Sequence, residues 1–134
     1  MNINVSQNPL ELGKAAGAAA AQIIREAIVA KGSANIILAT GTSQFETLNQ
    51  LIVEEEIEWS KVVMFHLDEY IGLPITHPAS FRKYLQERFL SKVRALKAAY
   101  LINGEGGDTK AECKRIGDLI ANHPIDIALV GIGE

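Results

Sequence analysis

Cysteine is nearly absent from this sequence, with Cys113 as the single example among 134 residues. A lone cysteine can form neither an intrachain disulfide framework nor a cysteine-based metal site. Small secreted domains that depend on disulfides are therefore excluded as a class. A protein of the reducing cytoplasm is the expectation that fits this composition.

An excess of charge of one sign is also lacking. Sixteen acidic residues are spread among thirteen basic ones, which gives a net charge of −3. This balance provides no broad electrostatic attraction for nucleic acid or for an anionic membrane surface. The longest apolar run, residues 15–24, is mostly alanine and is too short to span a bilayer. No basic segment precedes it, as a secretion signal would require, so we expect a soluble protein with no nucleic-acid or membrane partner.

The sequence does contain a regular alternation of helical and strand patterns. A long helix is predicted from Pro9, a favoured first position, to Lys31, with Gly32 as its C-cap. Short apolar runs predict buried parallel strands at residues 35–39, 62–67, 99–102 and 125–130. Further helices are predicted at about residues 44–55, after residue 80, and at about residues 109–121. This order predicts an α/β fold with a mainly parallel sheet and right-handed crossovers, as one domain over residues 1–134.

The segment Thr40-Gly41-Thr42-Ser43 joins the first predicted strand to the next helix. Unpaired backbone amides and the helix dipole make such a turn attractive to a phosphate group. The hydroxyls of Thr42 and Ser43 could add donors. Serine and threonine are also ordinary helix N-caps, so the segment alone leaves both interpretations open.

A second candidate follows the strand at residues 62–67, where Asp68 and Glu69 precede Gly72 and Pro74. Open α/β sheets bind ligands at the carboxyl ends of their strands. A carboxylate held there, partly shielded from water, can act as a general base near neutral pH. The alternative is that the two acids cap a helix or solvate a loop, and the segment alone does not decide between them.

Other residues give weaker signals. Gly131-Ile132-Gly133 lacks the third glycine and the later acid of a dinucleotide fingerprint, so we expect these glycines to let the backbone approach a ligand closely. His66, within a strand, is predicted to be buried, and His77 and His123 are predicted to be exposed. No pair of histidines has metal-ligand spacing, so no metal site is predicted.

Three motifs together resemble one family. They are LATGTSQF at residues 38–45, FHLDEYIGLPITHPASF at residues 65–81 and ALVGIGE at residues 128–134. In this order they are similar to the glucosamine-6-phosphate deaminases, also called glucosamine-6-phosphate isomerases. The resemblance implies a Rossmann-like three-layer domain that converts glucosamine 6-phosphate and water to fructose 6-phosphate and ammonia in amino-sugar catabolism. It also implies a hexosamine 6-phosphate as the partner, and neither a metal nor an organic cofactor.

The resemblance also implies roles for individual residues. Asp68 matches the base that moves a proton between C2 and C1 of the opened sugar. The implied substrate-binding residues comprise the phosphate loop, two supporting neighbours of the base and the backbone beside the sugar. They are Gly41, Thr42, Ser43, Glu69, Tyr70, Gly131 and Gly133.

The sequence departs from the family pattern at three points. Gln44 stands where proline is frequent, which is expected to loosen the phosphate loop, and Phe81 stands where tyrosine is common. The family pattern continues after Gly-x-Gly into a segment with a ring-opening histidine and further acids. We therefore expect the N-terminal part of such an enzyme, truncated after residues 131–133. We also expect it to be inactive by itself, with an open apolar strand edge that could drive homo-oligomer formation.

Three alternatives remain within the same resemblance. A paralogue acting on galactosamine 6-phosphate would differ in recognition of the C4 hydroxyl, which this segment does not reveal. The 6-phosphogluconolactonases are similar in fold but typically carry arginine in place of Tyr70. A sugar-phosphate-sensing domain would need the phosphate loop but not Asp68.

Overall fold

The structure is a computed structural model that describes residues 1–132, and four parallel strands form its centre. Across the sheet the strands are ordered β3-β2-β1-β4. They are β1 Ala34–Leu38, β2 Val62–His66, β3 Ala98–Tyr100 and β4 Ile127–Leu129. The α-helices are α1 Pro9–Lys31, α2 Phe45–Val53, α3 Phe81–Leu85 and α4 Thr109–Ala121. The predicted α/β class with a mainly parallel sheet is confirmed.

Helix α1 begins and ends where the sequence predicts. The Asn8 side chain accepts a hydrogen bond from the Glu11 amide at 2.9 Å, and Pro9 occupies the first turn. At the other end Gly32 adopts φ +78°, and its amide donates to the Ile28 carbonyl. Both ends of α1 are thus fixed by capping residues that can be identified from the sequence.

The main core lies on one face of the sheet. Alternate residues of a strand point to the same face, so Ile36 and Leu38 of β1 are buried beside Val62 and Met64 of β2. The inner side of α1 covers this face with small residues and isoleucines, including Ile24. None of the helices within residues 1–132 has the length and apolarity that crossing a bilayer requires.

The opposite face of the sheet carries an aromatic cluster near the end of α4. The ring of His123 lies 5.9 Å from Phe65 and 5.7 Å from Tyr100, between centroids. The prediction that His123 is exposed is wrong: it is half-buried, because its ring packs on these side chains. His77 is exposed and His66 is buried, as predicted.

The strand order creates a switch point beside β1. After β1 the chain forms β2 and then β3 on one side, whereas β4 pairs with the other side of β1. At such a point the connections leave the strand ends in opposite directions and open a crevice at the carboxyl edge. The segments that follow β1, β2 and β4 all meet there.

Candidate functional site

A cleft of about 270 Å³ lies at the carboxyl edge of the sheet. It is lined by the segments that follow β1, β2 and β4 and by the first residue of α3. The lining residues are Ala39, Thr40, Ser43, Leu67, Asp68, Phe81, Val130 and Gly131. The structure therefore brings together three segments that the sequence predicts to carry function.

The segment after β1 is a tight turn that leads straight into α2. Gly41 has φ +105°, a conformation that side-chain-bearing residues rarely adopt, and its carbonyl accepts from the Gln44 amide at 3.1 Å. Thr42–Gln44 forms a 3₁₀ turn, and Phe45 begins α2 directly after it. Thr42 and Ser43 are both exposed. Amides at this helix start and two accessible hydroxyls are the donor set that an anionic ligand requires.

Gln44 does not project into solvent, as a residue that loosens the turn would. Only 5% of its surface is exposed, and it packs against the segment after β4. A Cβ atom at Gly131 would lie 2.6 Å from Ser43 Oγ and 3.0 Å from Gln44 Nε2. Gly131 is thus required for close approach, here to the turn after β1. Gly133 lies outside the described residues.

Asp68 is exposed and lines the cleft, two residues beyond the last residue of β2. The amide of Leu67 donates to the Leu38 carbonyl at 3.2 Å, so the neighbouring strand still holds the chain at that point. This places the Asp68 carboxylate on the same cleft as Thr40 and Ser43. It is also the one charged side chain among the eight residues that line the cleft.

Glu69 has a different environment from Asp68, although the two are adjacent. Its side chain has 0% exposure. Its carboxylate accepts hydrogen bonds from the backbone amides of Tyr70, Phe81 and Arg82 and from the Ser80 hydroxyl, at 2.8–3.1 Å. Burial by itself would raise the pKa of Glu69, but these hydrogen bonds outweigh it and hold the pKa at about 2. Glu69 therefore fixes the loop, and its contact with a substrate remains a prediction.

Arg82 extends this network to the glycine-rich turn after β3. Its Nε donates to Glu69 at 3.0 Å, and its Nη2 donates to the Leu73 carbonyl and to Glu105 at 3.0 and 2.8 Å. The Gly72 amide donates to the Gly104 carbonyl at 2.7 Å. The loop that carries Asp68 is consequently tied to α3 and to the turn after β3.

Tyr70 lies at the surface, with 53% of its area exposed. Its ring packs at 5.0 Å from the ring of Phe81, which itself lines the cleft. Tyr70 thus stands behind Phe81 rather than among the lining residues. A substrate contact by Tyr70 likewise remains a prediction.

The part played by Tyr84 is not evident from the sequence. Its hydroxyl donates to the Gly41 carbonyl at 2.8 Å, and its ring stacks on Phe45 at 5.8 Å. The guanidinium of Arg88 lies 3.6 Å above the Phe45 ring centroid. Helical spacing identifies Tyr84 as a core-facing residue, but no sequence signal pairs its hydroxyl with a carbonyl 43 residues away.

Comparison with known proteins agrees with the motifs. A family model described as glucosamine-6-phosphate isomerases/6-phosphogluconolactonase matches residues 7–134. The glucosamine-6-phosphate deaminase of Listeria monocytogenes serotype 4a (strain HCC23) is 40% identical over 90% of this chain and 51% of its own length. That of Lactobacillus delbrueckii subsp. bulgaricus (strain ATCC BAA-365 / Lb-18) is 36% identical over 100% of this chain and 54% of its own length. The chain spans about half the length of the curated relatives it matches.

Solved structures share the fold of this chain. A monomeric glucosamine-6-phosphate deaminase superposes with a TM-score of 0.79 and 29% identity, over 91% of this chain and 51% of that one. The 6-phosphogluconolactonase from Shewanella baltica OS155 superposes with a TM-score of 0.81 over 96% of this chain and 55% of that one. At 20% identity the second likeness shows the Rossmann-like fold alone. The chain belongs to the family of glucosamine-6-phosphate isomerases and 6-phosphogluconolactonases.

Proposed function

We propose that this chain forms the part of a glucosamine-6-phosphate deaminase that holds the substrate phosphate and the proton-transfer base. The observation that carries the proposal is the cleft in which Asp68 shares a wall with Thr40 and Ser43. The relatives that are 36–40% identical are glucosamine-6-phosphate deaminases, which supports the choice of substrate. The substrate is then a hexosamine 6-phosphate, with glucosamine 6-phosphate as the first candidate.

The turn after β1 would hold the phosphate. The backbone amides that follow Gly41 and the hydroxyls of Thr42 and Ser43 would donate to its oxygens, helped by the dipole of α2. The cleft lining contains no basic side chain, so these donors act without a cation from the lining. A phosphate anchored there would direct the remainder of the sugar along the cleft toward Asp68.

Asp68 would carry the proton between two neighbouring carbons of the opened sugar. As a carboxylate it takes the proton from C2 and returns it to C1, while the amino nitrogen loses a proton and O1 gains one, which converts the aldehyde to an alcohol and leaves an imine at C2. Water then hydrolyses the imine, which gives the ketone of fructose 6-phosphate and ammonia. One exposed carboxylate beside the cleft suffices for the transfer. Glu69, already bound by five donors, is not available as a second base.

Lactonase activity on 6-phosphogluconolactone is the second candidate. It is favoured by the match of the family model and by the fold likeness to 6-phosphogluconolactonases. Tyr70 argues against it, because the lactonases resembled by this sequence typically carry arginine at that position. Lactone hydrolysis also involves no proton transfer between carbons, so a lactonase would not use Asp68 in the role proposed here.

The decisive assay is ammonia release from glucosamine 6-phosphate. We propose that the 134 residues alone release none, because they span about half the length of the deaminases they match. The assay therefore also uses a longer chain in which residues 1–132 precede the C-terminal half of the Listeria relative. Asp68→Asn is expected to lower the activity of that longer chain by about a thousandfold or more.

The matched control is Asp118→Asn, an exposed aspartate on α4 that is paired with Lys114. This change should leave ammonia release within about twofold, since surface changes of this kind are nearly neutral. A longer chain that hydrolyses 6-phosphogluconolactone but never releases ammonia would replace the deaminase proposal with the lactonase. Equal activity of the Asp68→Asn chain would remove Asp68 as the base.

A further inference from the structure

One short helical segment contacts both loops that build the cleft. It consists of α3, Phe81–Leu85, and the π-helical turn Gln86–Leu90 that continues it, and we call it the bridging helix. The base loop, residues 67–73, contacts its start, and the phosphate loop, residues 40–45, contacts its middle. A π-helical turn inside a helix is uncommon and is frequently found near functional sites.

The start of the bridging helix is bound to the base loop through Glu69. The Glu69 carboxylate accepts from the amides of Phe81 and Arg82 at 3.1 and 3.0 Å and from the Ser80 hydroxyl at 2.8 Å. Arg82 adds an ion pair at 3.0 Å, with its own side chain 8% exposed. A buried carboxylate with this many donors is a firm anchor, because any displacement leaves several polar groups unpaired.

The middle of the bridging helix is bound to the phosphate loop through Tyr84. Its hydroxyl donates to the Gly41 carbonyl at 2.8 Å, and its ring stacks on Phe45 at the start of α2. Burial raises the pKa of Tyr84 to about 12, so the hydroxyl keeps its proton at any physiological pH. Gly41 is the residue whose positive φ sets the shape of the loop.

Less than two helical turns separate these anchors. The Tyr84 amide donates to the Ser80 carbonyl at 3.1 Å, so Ser80, which binds Glu69, and Tyr84, which binds Gly41, lie at the two ends of one hydrogen-bonded turn. Phe81, between them, lines the cleft itself. A displacement of one loop therefore reaches the other through a single rigid turn.

We propose that the bridging helix couples the phosphate loop to the base loop, with Tyr84 and Glu69 as the positioning residues at its two anchors. A phosphorylated ligand that orders residues 40–45 would thereby order Asp68, before any chemistry takes place. The coupling is reciprocal. The free energy by which phosphate binding orders the base loop equals the free energy by which an ordered base loop strengthens phosphate binding, so a change that frees the base loop weakens phosphate binding. The part of this inference that concerns the ligand rests on the proposed function, whereas the coupling itself is a property of the free chain.

The first test measures amide hydrogen exchange in the ligand-free chain. NMR reports the exchange rates of the amides in the two loops. Tyr84→Phe removes one oxygen atom and should raise exchange about fivefold or more in residues 42–45 and also in residues 68–72. Glu69→Gln should raise exchange at both loops in the same way. In the double variant Tyr84→Phe/Glu69→Gln, exchange should rise by less than the product of the two single fold increases. The reason is that both substitutions break the same connection between the loops.

Two controls separate coupling from general loosening of the fold. Tyr100→Phe alters a tyrosine whose ring packs on Phe65 and His123, and should leave exchange at both loops unchanged. Amides in the middle of α1 should exchange equally in all folded variants. If Glu69→Gln does not fold, Ser80→Ala takes its place, since it removes one donor to Glu69 and keeps the carboxylate. Faster exchange at residues 42–45 alone in Tyr84→Phe would overturn the proposal.

The second test adds glucosamine 6-phosphate or inorganic phosphate to the unaltered chain. We expect the ligand to protect residues 42–45 and, with them, residues 68–72. In Tyr84→Phe the protection of residues 42–45 should be weaker, and the protection of residues 68–72 should be lost. Protection confined to residues 42–45 would overturn the coupling and leave the proposed function standing. Absence of any protection, with coupling intact in the ligand-free test, would instead count against the phosphate site.

Discussion

The buried ring of His66 occupies the last position of β2, two residues before Asp68. Its Nε2 accepts a hydrogen bond from the Ile102 amide at 2.7 Å, and its Nδ1 has no hydrogen-bond partner within residues 1–132. Burial lowers the pKa of His66 from 6.5 to about 4. The negative charge of Glu69 acts against this shift and raises the pKa, whereas the positive charge of Arg82 lowers it by a smaller amount. The folded chain therefore holds this ring neutral across the pH range in which an unfolded chain would protonate it.

This difference predicts how stability depends on pH. Between pH 6.5 and about 4 the unfolded chain binds a proton at His66 that the folded chain does not, so stability falls as the pH is lowered. The fall amounts to at most about 3 kcal/mol. His66→Gln keeps an acceptor for the Ile102 amide and cannot titrate, so it should remove most of this dependence. Urea unfolding at several pH values measures the effect.

The control for His66→Gln is His77→Gln, because His77 is exposed on the surface. That variant should keep the pH dependence of the unaltered chain. Glu69 acts in a lower window: its pKa of about 2 means that its contribution is lost as the pH falls from about 4.5 toward 2. An unaltered slope between pH 6.5 and 4 in His66→Gln would contradict the assignment to His66.

At the scale of single residues, strand and turn patterns locate Asp68, but only the family resemblance distinguishes it from Glu69. The carboxyl end of a buried strand is readable from the apolar run before it and from Gly72 and Pro74 after it. Which of two adjacent acids enters the cleft depends on the direction of the loop, and the loop is set by donors as distant as Ser80. The burial of Glu69 therefore emerges only from the tertiary structure.

At the scale of helices and strands, the close contact between α1 and α2 depends on two glycines of α1. A Cβ atom at Gly13 would lie 2.2 Å from Glu46 Cβ, and one at Gly17 would lie 2.6 Å from Gln50 Cβ. Alanine has the higher helix propensity, by about 1 kcal/mol, so glycine at these positions serves close packing rather than helix formation. The small residues of α1 predict close approach, although not the identity of its partner.

Gly13→Ala should consequently destabilise the chain by about 2 kcal/mol or more, because the new methyl group forces α1 and α2 apart. Gly117 on α4 provides the matched comparison, since a Cβ atom there would meet nothing within 4 Å. Gly117→Ala should stabilise the chain by about 0.5–1 kcal/mol through helix propensity alone. Thermal unfolding of the two variants, followed by circular dichroism, measures both. Equal shifts of the same sign would refute the packing argument.

Sequence patterns place helices more accurately than strand ends in this chain. The caps at Asn8 and Gly32 fix α1, and α4 also occupies its predicted range. The third strand ends two residues early, because the Ile102 amide pairs with the His66 side chain instead of a strand neighbour. The last strand begins later than predicted, after Asp126, whose carboxylate accepts from the Asn35 amide. Side-chain competition for backbone groups is invisible to hydrophobic periodicity.

At the scale of the whole molecule, the sheet described for residues 1–132 has two edge strands, β3 and β4. Among the strands of residues 1–132, β4 pairs with β1 and presents its other side unpaired. A groove of about 400 Å³ lies beside it, against α1. Apolar side chains surround this edge, with Leu12, Val130 and Ile132 exposed at 52%, 64% and 95%. An unpaired strand bordered by apolar surface favours pairing with another chain.

We therefore expect these 134 residues to self-associate through the edge of β4, and Val130→Lys to suppress the association. A lysine directly after β4 opposes strand pairing at that edge by its charge and its hydration, which should weaken association by about tenfold or more. Val29→Lys makes the same change on α1 beside Arg25 and Glu58, at a position 88% exposed, and should leave association unchanged. Sedimentation velocity over a concentration series compares the three chains. If both lysine variants disperse the chain equally, the β4 edge does not govern its association, because the two substitutions add the same charge and differ only in position.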